Sequence, residues 1–271
     1  MVFFNELIGS NAMVADMLYG DFVERLNASF SCPASSRISP AIAIHSPYSV
    51  HPIVLQKAVT LAKQKKLPLS AHFLESKAER QWLEKGEGEF KDFFEKYFKT
   101  SVPVSNIQEF IHAFDTYPTH FTHCTQATED ELAYLTSKGH SIAHCPRSNR
   151  YLGCGKLAIE DLKLPYTIAT DGLSSNDSLS LFDELRATLM LHNTLPIQDL
   201  ANSLLQAVTA DSAEILGINC GKIEVGKLAD FALVTLEEQP QREEELALWT
   251  ILQTKEVSSL YIAGEEVFNA L

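Results

Sequence analysis

Three short stretches of the 271-residue sequence put coordinating or proton-carrying side chains where an apolar run ends. They are S-A-H-F-L-E with His72 and Glu75, T-H-C with His123, and A-T-D-G with Asp171. Imidazole nitrogen suits zinc or iron, and a carboxylate just beyond could move a proton between an activated water and a substrate. Taken singly, each of these residues reads as readily as a capping aspartate or a satisfied core histidine, and a lone H-x-x-E is common by chance. Their recurrence at separate strand ends favours a shared site, because the C-terminal ends of the strands form the active face of a parallel β/α barrel. His45, in A-I-H-S-P-Y-S, ends another such run, and Pro47 forces the chain out of it at once, so His45 is placed to touch a ligand. The run H-C-P-R-S-N-R at 144–150 adds a loop in which Arg147 or Asn149 could hold a polar substrate group, while His144 inside the run reads as structural.

The elements that must position these groups alternate between β-rich runs and amphipathic helices, the pattern of parallel β/α units. The expected strands are Val2 to Leu7, Ala41 to His45, Pro68 to His72, His120 to Cys124, Ser141 to Cys145 and Tyr166 to Asp171, each followed by a helix, which makes six units. Pro52 to Lys66 carries Val54, Leu55, Ala58, Val59, Leu61 and Ala62 at helical spacing with lysines at its end. A helix from Thr128 to Lys138 has a capping residue, three acids in its first turn and Gly139 as its stop.

Between Leu74 and Thr119 the aromatic, charged insert EKGEGEFKDFFEKYF exceeds what a crossover needs. It reads equally as a lid or as a decorated surface helix, since Phe90, Phe93, Phe94, Tyr97 and Phe98 have near-helical spacing. After Leu195 the pattern turns helical from Ile197 to Leu216, then gives way to GKIEVGKLADFALVTL and VSSLYIAGEEVF, short strands with turns at Gly221, Gly226 and Gly264. The expected domains are therefore 1–216, a partial β/α barrel with its terminal helices, and 217–271, part of a small β-sandwich domain.

Composition limits the partners. A net charge of −13 with dispersed basic residues repels phosphate backbones and anionic lipid, so neither nucleic acid nor membrane is expected. With 45% apolar and 21% charged residues the chain has soluble composition, and no apolar run reaches the length of a membrane span. Five cysteines without a C-x-x-C pair fit reduced thiols in the cytoplasm. MVFFNELIGS has no basic leader and reads as a strand, which gives the same cytoplasmic expectation.

Taken in order, HSPYS, AHFLES, HC, HCPRSN, ATDGLSSN and GKIEVGKLADF resemble the amidohydrolase superfamily, in the branch of the chlorohydrolases and the adenosine, guanine and S-adenosylhomocysteine deaminases. Within it, HFLES, CP-SNR-L and ATDGLSSN-SLSL-DELRA are most similar to the aminodeoxyfutalosine deaminases of menaquinone synthesis. The resemblance implies a TIM-like α/β barrel and hydrolytic deamination of an aminopurine nucleoside-like small molecule with one divalent metal ion, zinc or iron. It implies His72 and Asp171 as metal ligands, Glu75 as proton shuttle and His123 as the group that orients the attacking water. Asp171 would also accept a proton, and His45, Glu75, Arg147 and Asn149 would contact the substrate. A chlorohydrolase, a guanine or S-adenosylhomocysteine deaminase, or an inactive remnant are the alternatives; homo-oligomerisation is left open. One departure is large: the family carries an H-x-H pair on the first barrel strand, and no H-x-H occurs in these residues. Together with six units where a barrel has eight, this gives the expectation of a barrel missing its first two β/α units and the N-terminal half of the small β domain.

Overall fold

The first strand, β1 (Val2–Leu7), buries Asn5 and Leu7 on one face while its neighbours stay exposed, the period-two pattern of a half-covered strand. In the computed structural model, which describes residues 1–33 and 37–270, it opens a six-stranded sheet. The other members are β2 (Ser39–Ile44), β3 (Leu69–Phe73), β4 (His120–His123), β5 (Ser141–His144) and β6 (Tyr166–Ile168), in the order β1-β2-β3-β4-β5-β6. Pairing from β1 through β4 is parallel, with Ile44 opposite Ala71 and Phe73 opposite His123. All six expected strands form in this α/β fold, the first with the expected ends and the other five with an end shifted by one to three residues: His72 lies inside β3, and Asp171 lies three residues beyond the end of β6.

The chain divides into two compact units, one of residues 1–142 with 153–155 and one of residues 143–152 with 156–271. In the first, helices cover the sheet as the sequence pattern requires. His51 caps the Pro52–Lys65 helix, its side chain accepting from the Ile53 amide at 3.2 Å, and Val54, Leu55, Ala58, Val59 and Ala62 form the buried stripe. Thr128 and Glu131 close a capping box on the Glu129–Ser137 helix. Glu131 also takes a two-pronged bond from Arg80 at 2.9 and 3.1 Å, locking that helix to Lys77–Lys85. The aromatic insert is three short helices, Lys77–Lys85, Glu89–Phe98 and Ile107–His112. Phe94 is buried flat against Trp82 with ring centroids 5.2 Å apart, whereas Phe93, Tyr97 and Phe98 are exposed.

In the second unit the helix expected over 197–216 is two helices, Ile197–Ala207 and Ala210–Ile215, broken at Thr209 (φ −124°, ψ −87°). Gly221 explains the break in part: a Cβ there would sit 2.6 Å from the Thr209 carbonyl oxygen, so the two backbones touch. Beyond it, β7 (Phe231–Leu233), β8 (Ser259–Ile262) and β9 (Glu265–Asn269) form an antiparallel sheet. The β8–β9 turn uses positive φ at both Ala263 and Gly264, and Asp230 accepts from the Ala263 amide at 2.7 Å. The strand expected from GKIEVGKLADFALVTL is confined to Phe231–Leu233.

One buried histidine gives a pH test of the first unit. His140 Nδ1 accepts from the Thr119 amide at 3.1 Å, its ring stands edge-on to Phe121, and burial pushes its pKa down to about 4, with Asp115 and Lys138 acting in opposite senses. A folded pKa below the ordinary 6.5 means the unfolded chain binds the proton first. Stability from this group is therefore full above pH 6.5 and is lost as pH falls toward 4, by roughly 3 kcal/mol. Urea unfolding of wild type and His140→Gln across pH 4–7.5 should show a loss greater by this amount in wild type, since His120, whose pKa burial also lowers to about 4, contributes in both proteins. Parallel pH profiles for the two proteins would contradict it.

Candidate active site

Because β2 and β3 are parallel and in register, the residue just past the end of β2 meets the penultimate residue of β3. The carbonyl of His45 accepts from the His72 amide at 3.2 Å and from His72 Nδ1 at 2.6 Å. That second bond fixes the tautomer: with the proton on Nδ1, His72 Nε2 keeps its lone pair for a metal ion, the arrangement found behind metal-binding histidines. The His45 ring is itself held, its Nδ1 lying 2.6 Å from Ser49 Oγ and 3.0 Å from Ser46 Oγ inside the turn that Pro47 begins. Burial lowers the His45 pKa, so the ring is neutral at pH 7. Tyr48 meets His45 edge-on at 5.8 Å and Phe90 at 4.9 Å, which brings the aromatic insert up to this turn.

The loops that follow β3 and β4 turn sharply. Leu74 (φ 47°), His123 (φ 73°) and Cys124 (φ 53°) all adopt the left-handed conformation that costs a residue with a Cβ about 1 kcal/mol or more. Such turns throw successive side chains to one side. His123 stacks on His72 with centroids 5.5 Å apart, and its Nε2 lies 3.7 Å from Glu75 Oε1. His123 is 1% exposed and Glu75 about a quarter exposed, so the carboxylate faces the opening and the imidazole backs it. Two glutamates thus share this turn, for Glu79 lies directly behind Glu75. Its buried carboxyl accepts the amides of Leu74 (3.1 Å) and Glu75 (2.7 Å), and burial raises its pKa to about 7 against the opposing pull of those bonds.

In the second unit Asp171 is likewise left-handed (φ 58°) and heavily hydrogen bonded. Its Oδ2 lies 2.6 Å from Ser148 Oγ and 3.0 Å from Ser175 Oγ, and its Oδ1 accepts from the Gly172 amide at 2.7 Å. Three donors fix the orientation of the carboxylate, as outer partners do for a metal ligand. Arg147 lies next to this loop with its guanidinium on Asp177, on Ser178 Oγ at 3.0 Å and 3.5 Å from both Asp183 and Glu184. Asn149 is fully buried in the Pro146–Tyr151 helix.

The structure therefore brings His45, His72, Glu75 and His123 together in the first unit, and in the second sets Asp171 among Ser148, Ser175 and Gly172. Sequence reasoning missed Glu79, Ser148, Ser175, Asn176 and Glu184; the phrases SKAE, PRSN and SSND contain four of them, but only as cap or loop residues.

A model of the amidohydrolase family matches residues 20–267. The chain belongs to the amidohydrolase family. An aminodeoxyfutalosine deaminase of Nitratiruptor sp. is 43% identical over 267 residues, which is 98% of this chain and 66% of that protein. An adenosine deaminase of Helicobacter pylori is 37% identical over 239 residues, 85% of this chain and 58% of that one. Among solved structures, Helicobacter pylori aminofutalosine deaminase in complex with methylthio-coformycin superposes with a TM-score of 0.91 at 33% identity, covering 98% of this chain and 66% of that one. A zinc-bound adenosine deaminase from Xanthomonas campestris does so with a TM-score of 0.75 at 25% identity, covering 98% and 60%. The chain spans two thirds or less of the length of each. Family members are metal-dependent in general, and no helix among the described residues is long and apolar enough to cross a membrane.

Proposed function

We propose that this protein takes part in metal-dependent hydrolytic deamination of an aminopurine nucleoside, with aminodeoxyfutalosine, an intermediate of menaquinone biosynthesis, as its substrate. The observation that carries the reading is the His45–His72–Glu75–His123 cluster, in which a tautomer-fixed imidazole, a half-open carboxylate and a buried imidazole meet on adjacent strand ends. The 43% identity to an aminodeoxyfutalosine deaminase supports the substrate.

The reaction joins a water oxygen to the amino-bearing ring carbon and breaks the carbon–nitrogen bond, so that ammonia leaves and the ring gains a carbonyl. Glu75 delivers a proton to the ring nitrogen beside that carbon, then takes the hydroxyl proton of the addition product and passes it to the departing amine, and the proton held by Asp171 is released to restore Glu75 for the next turnover. His123, buried and hydrogen-bond competent, orients the attacking water, and Asp171 takes up its proton. His45 contacts the substrate from the turn after β2. Arg147 and Asn149 contact the substrate from the Pro146–Tyr151 helix, which stands beside Asp171 where the sequence suggested a loop, and the guanidinium is oriented there by Asp177, Asp183 and Glu184. His72 Nε2 and the Asp171 carboxylate fit a divalent ion, zinc or iron, in donor type and in preparation of the lone pairs; such an ion supplies Lewis acidity toward water when bound. In this reading residues 1–216 belong to the catalytic barrel and 217–271 to the small β domain, in a cytoplasmic protein.

The test is ammonia release from aminodeoxyfutalosine, adenosine, 5′-deoxyadenosine, guanine, S-adenosylhomocysteine and a chloro-triazine by protein loaded with zinc or with iron. Aminodeoxyfutalosine should exceed adenosine in kcat/KM by roughly 10-fold or more, the scale of a few favourable pocket contacts. Faster turnover of guanine, S-adenosylhomocysteine or the triazine would remove the substrate assignment, and metal-loaded protein inert toward all six would remove the deaminase reading.

A further inference from the structure

The serine and glutamate of S-K-A-E, residues 76–79, have the spacing of a capping box, in which the glutamate reaches back to the amide of the capping serine. Half of that motif is present: Ser76 Oγ accepts from the Glu79 amide at 3.1 Å. The carboxyl half is displaced. Glu79 reaches past Ser76, whose amide is the weakest of its backbone partners, and takes the two preceding amides, Oε1 from Leu74 at 3.1 Å and Oε2 from Glu75 at 2.7 Å. A cap alone has no need of this, and burying a carboxyl at 2% exposure is costly. The peptide on the other side of the same residue is held as well, because Thr125 Oγ1, on the loop after β4, donates to the Glu75 carbonyl at 2.5 Å. Gln126 adds a backbone bond from its amide to the Leu74 carbonyl at 3.0 Å. Glu75 thus has its amide fixed by one side chain and its carbonyl by another, right after a residue in a strained left-handed conformation. Thr125 lies two residues past His123, so one contact sets the spacing between the two groups that face each other at 3.7 Å.

We propose that Glu79 and Thr125 are positioning residues for Glu75, clamping its backbone on the amide side and on the carbonyl side so that its carboxylate stays in one rotamer against His123. The catalytic consequence rests on the deaminase reading above; the clamp itself does not. A side chain that must face first the ring nitrogen and then the departing amine gains from a fixed base, since a misplacement of about 1 Å can cost on the order of 100-fold in rate.

The experiment is NMR of the isotopically labelled chain. It follows the three-bond couplings that report χ1 of Glu75 and the nuclear Overhauser effect from Glu75 Hγ to the His123 ring. Wild type and Thr125→Ser, which keeps the hydroxyl, should show one rotamer and a clear effect. Thr125→Val, which keeps the shape and loses the donor, and Glu79→Gln should show averaged couplings and at least half of the effect lost, while the β3 amide resonances from Leu69 to Phe73 stay in place. In turnover assays the same two variants should lose kcat by about 10- to 100-fold with KM within about 2-fold, the split expected when orientation rather than binding is lost. Unchanged couplings and an unchanged effect in Thr125→Val and Glu79→Gln would overturn the proposal. Should Glu79→Gln fail to fold, the Thr125 pair decides it. Protein without turnover on any purine nucleoside would remove the deaminase reading and leave the NMR comparison to judge the clamp.

Discussion

Replacing Glu75 with glutamine should lower ammonia release from aminodeoxyfutalosine by about 1000-fold, within the range that general acid–base groups contribute, while KM moves by less than about 3-fold. Glutamine has the size of glutamate and can still accept the Thr125 hydroxyl and donate its amide to Glu79, because both bonds are made by the backbone. What disappears is the exchangeable proton and the charge 3.7 Å from His123 Nε2. Among the described residues of this turn no other carboxylate takes over, since Glu79 is turned inward onto the two amides. Steady-state kinetics at saturating substrate, with metal content measured on the same preparations, separates proton transfer from metal loss. A variant with equal metal and more than a tenth of wild-type kcat would show that another group carries the proton.

The strands after β1 were legible because each is a short run followed within three residues by a polar or left-handed residue, and the chemistry-bearing residues sit at those ends. His72, His123 and Asp171 could be singled out as types at positions. Their preparation could not. The bond that frees His72 Nε2 comes from the carbonyl of His45, 27 residues earlier, and exists only because Ile44 pairs with Ala71. No local pattern contains that register. Arg147 shows the converse: in the sequence its charge stands alone after a strand, whereas in the structure Asp177, Asp183 and Glu184, 30 or more residues later, pair with its guanidinium. Glu79 reads as a capping acid and differs only in which amides it reaches. The break at Thr209 was hidden for a related reason, since the backbone of Gly221 that presses on it is remote in sequence. The aromatic insert divides along its own helix, with Phe94 satisfied by Trp82 and Phe90 by Tyr48, while Phe93, Tyr97 and Phe98 face out.

Glu184 is the residue whose loss should damage the second unit most. In the sequence it is an ordinary acid in the first turn of the Leu181–Leu191 helix, where it favours the helix dipole and could sit in water. In the structure it is fully buried, and burial pushes its pKa up against the stabilising bonds from Asn176 and Arg147. Its Oε1 accepts from Asn176 Nδ2 at 2.7 Å, its Oε2 from the Arg147 amide at 3.2 Å, and the Arg147 guanidinium lies 3.5 Å away. Asn176 uses its other amide hydrogen on the Thr170 carbonyl at 2.6 Å, so the carboxylate anchors the loop that carries Asp171 as well as the start of the Pro146–Tyr151 helix. Glu184→Ala would strip the acceptor from two donors and leave a cavity beside a largely buried guanidinium. Stripping a buried charged acceptor from its donors and opening that cavity costs about 3–5 kcal/mol, even though Asp177 and Asp183 still face the guanidinium. For a chain of this size that corresponds to a fall in Tm on the order of 10 °C. Glu184→Gln keeps one carbonyl oxygen for Asn176 and the volume of the side chain, so about half that loss is expected of it. Urea unfolding followed by tryptophan fluorescence and circular dichroism measures both variants. An alanine variant within about 1 kcal/mol of wild type would mean that Arg147 finds its neutralisation in Asp177 and Asp183, and that the loop around Asp171 stands without Glu184.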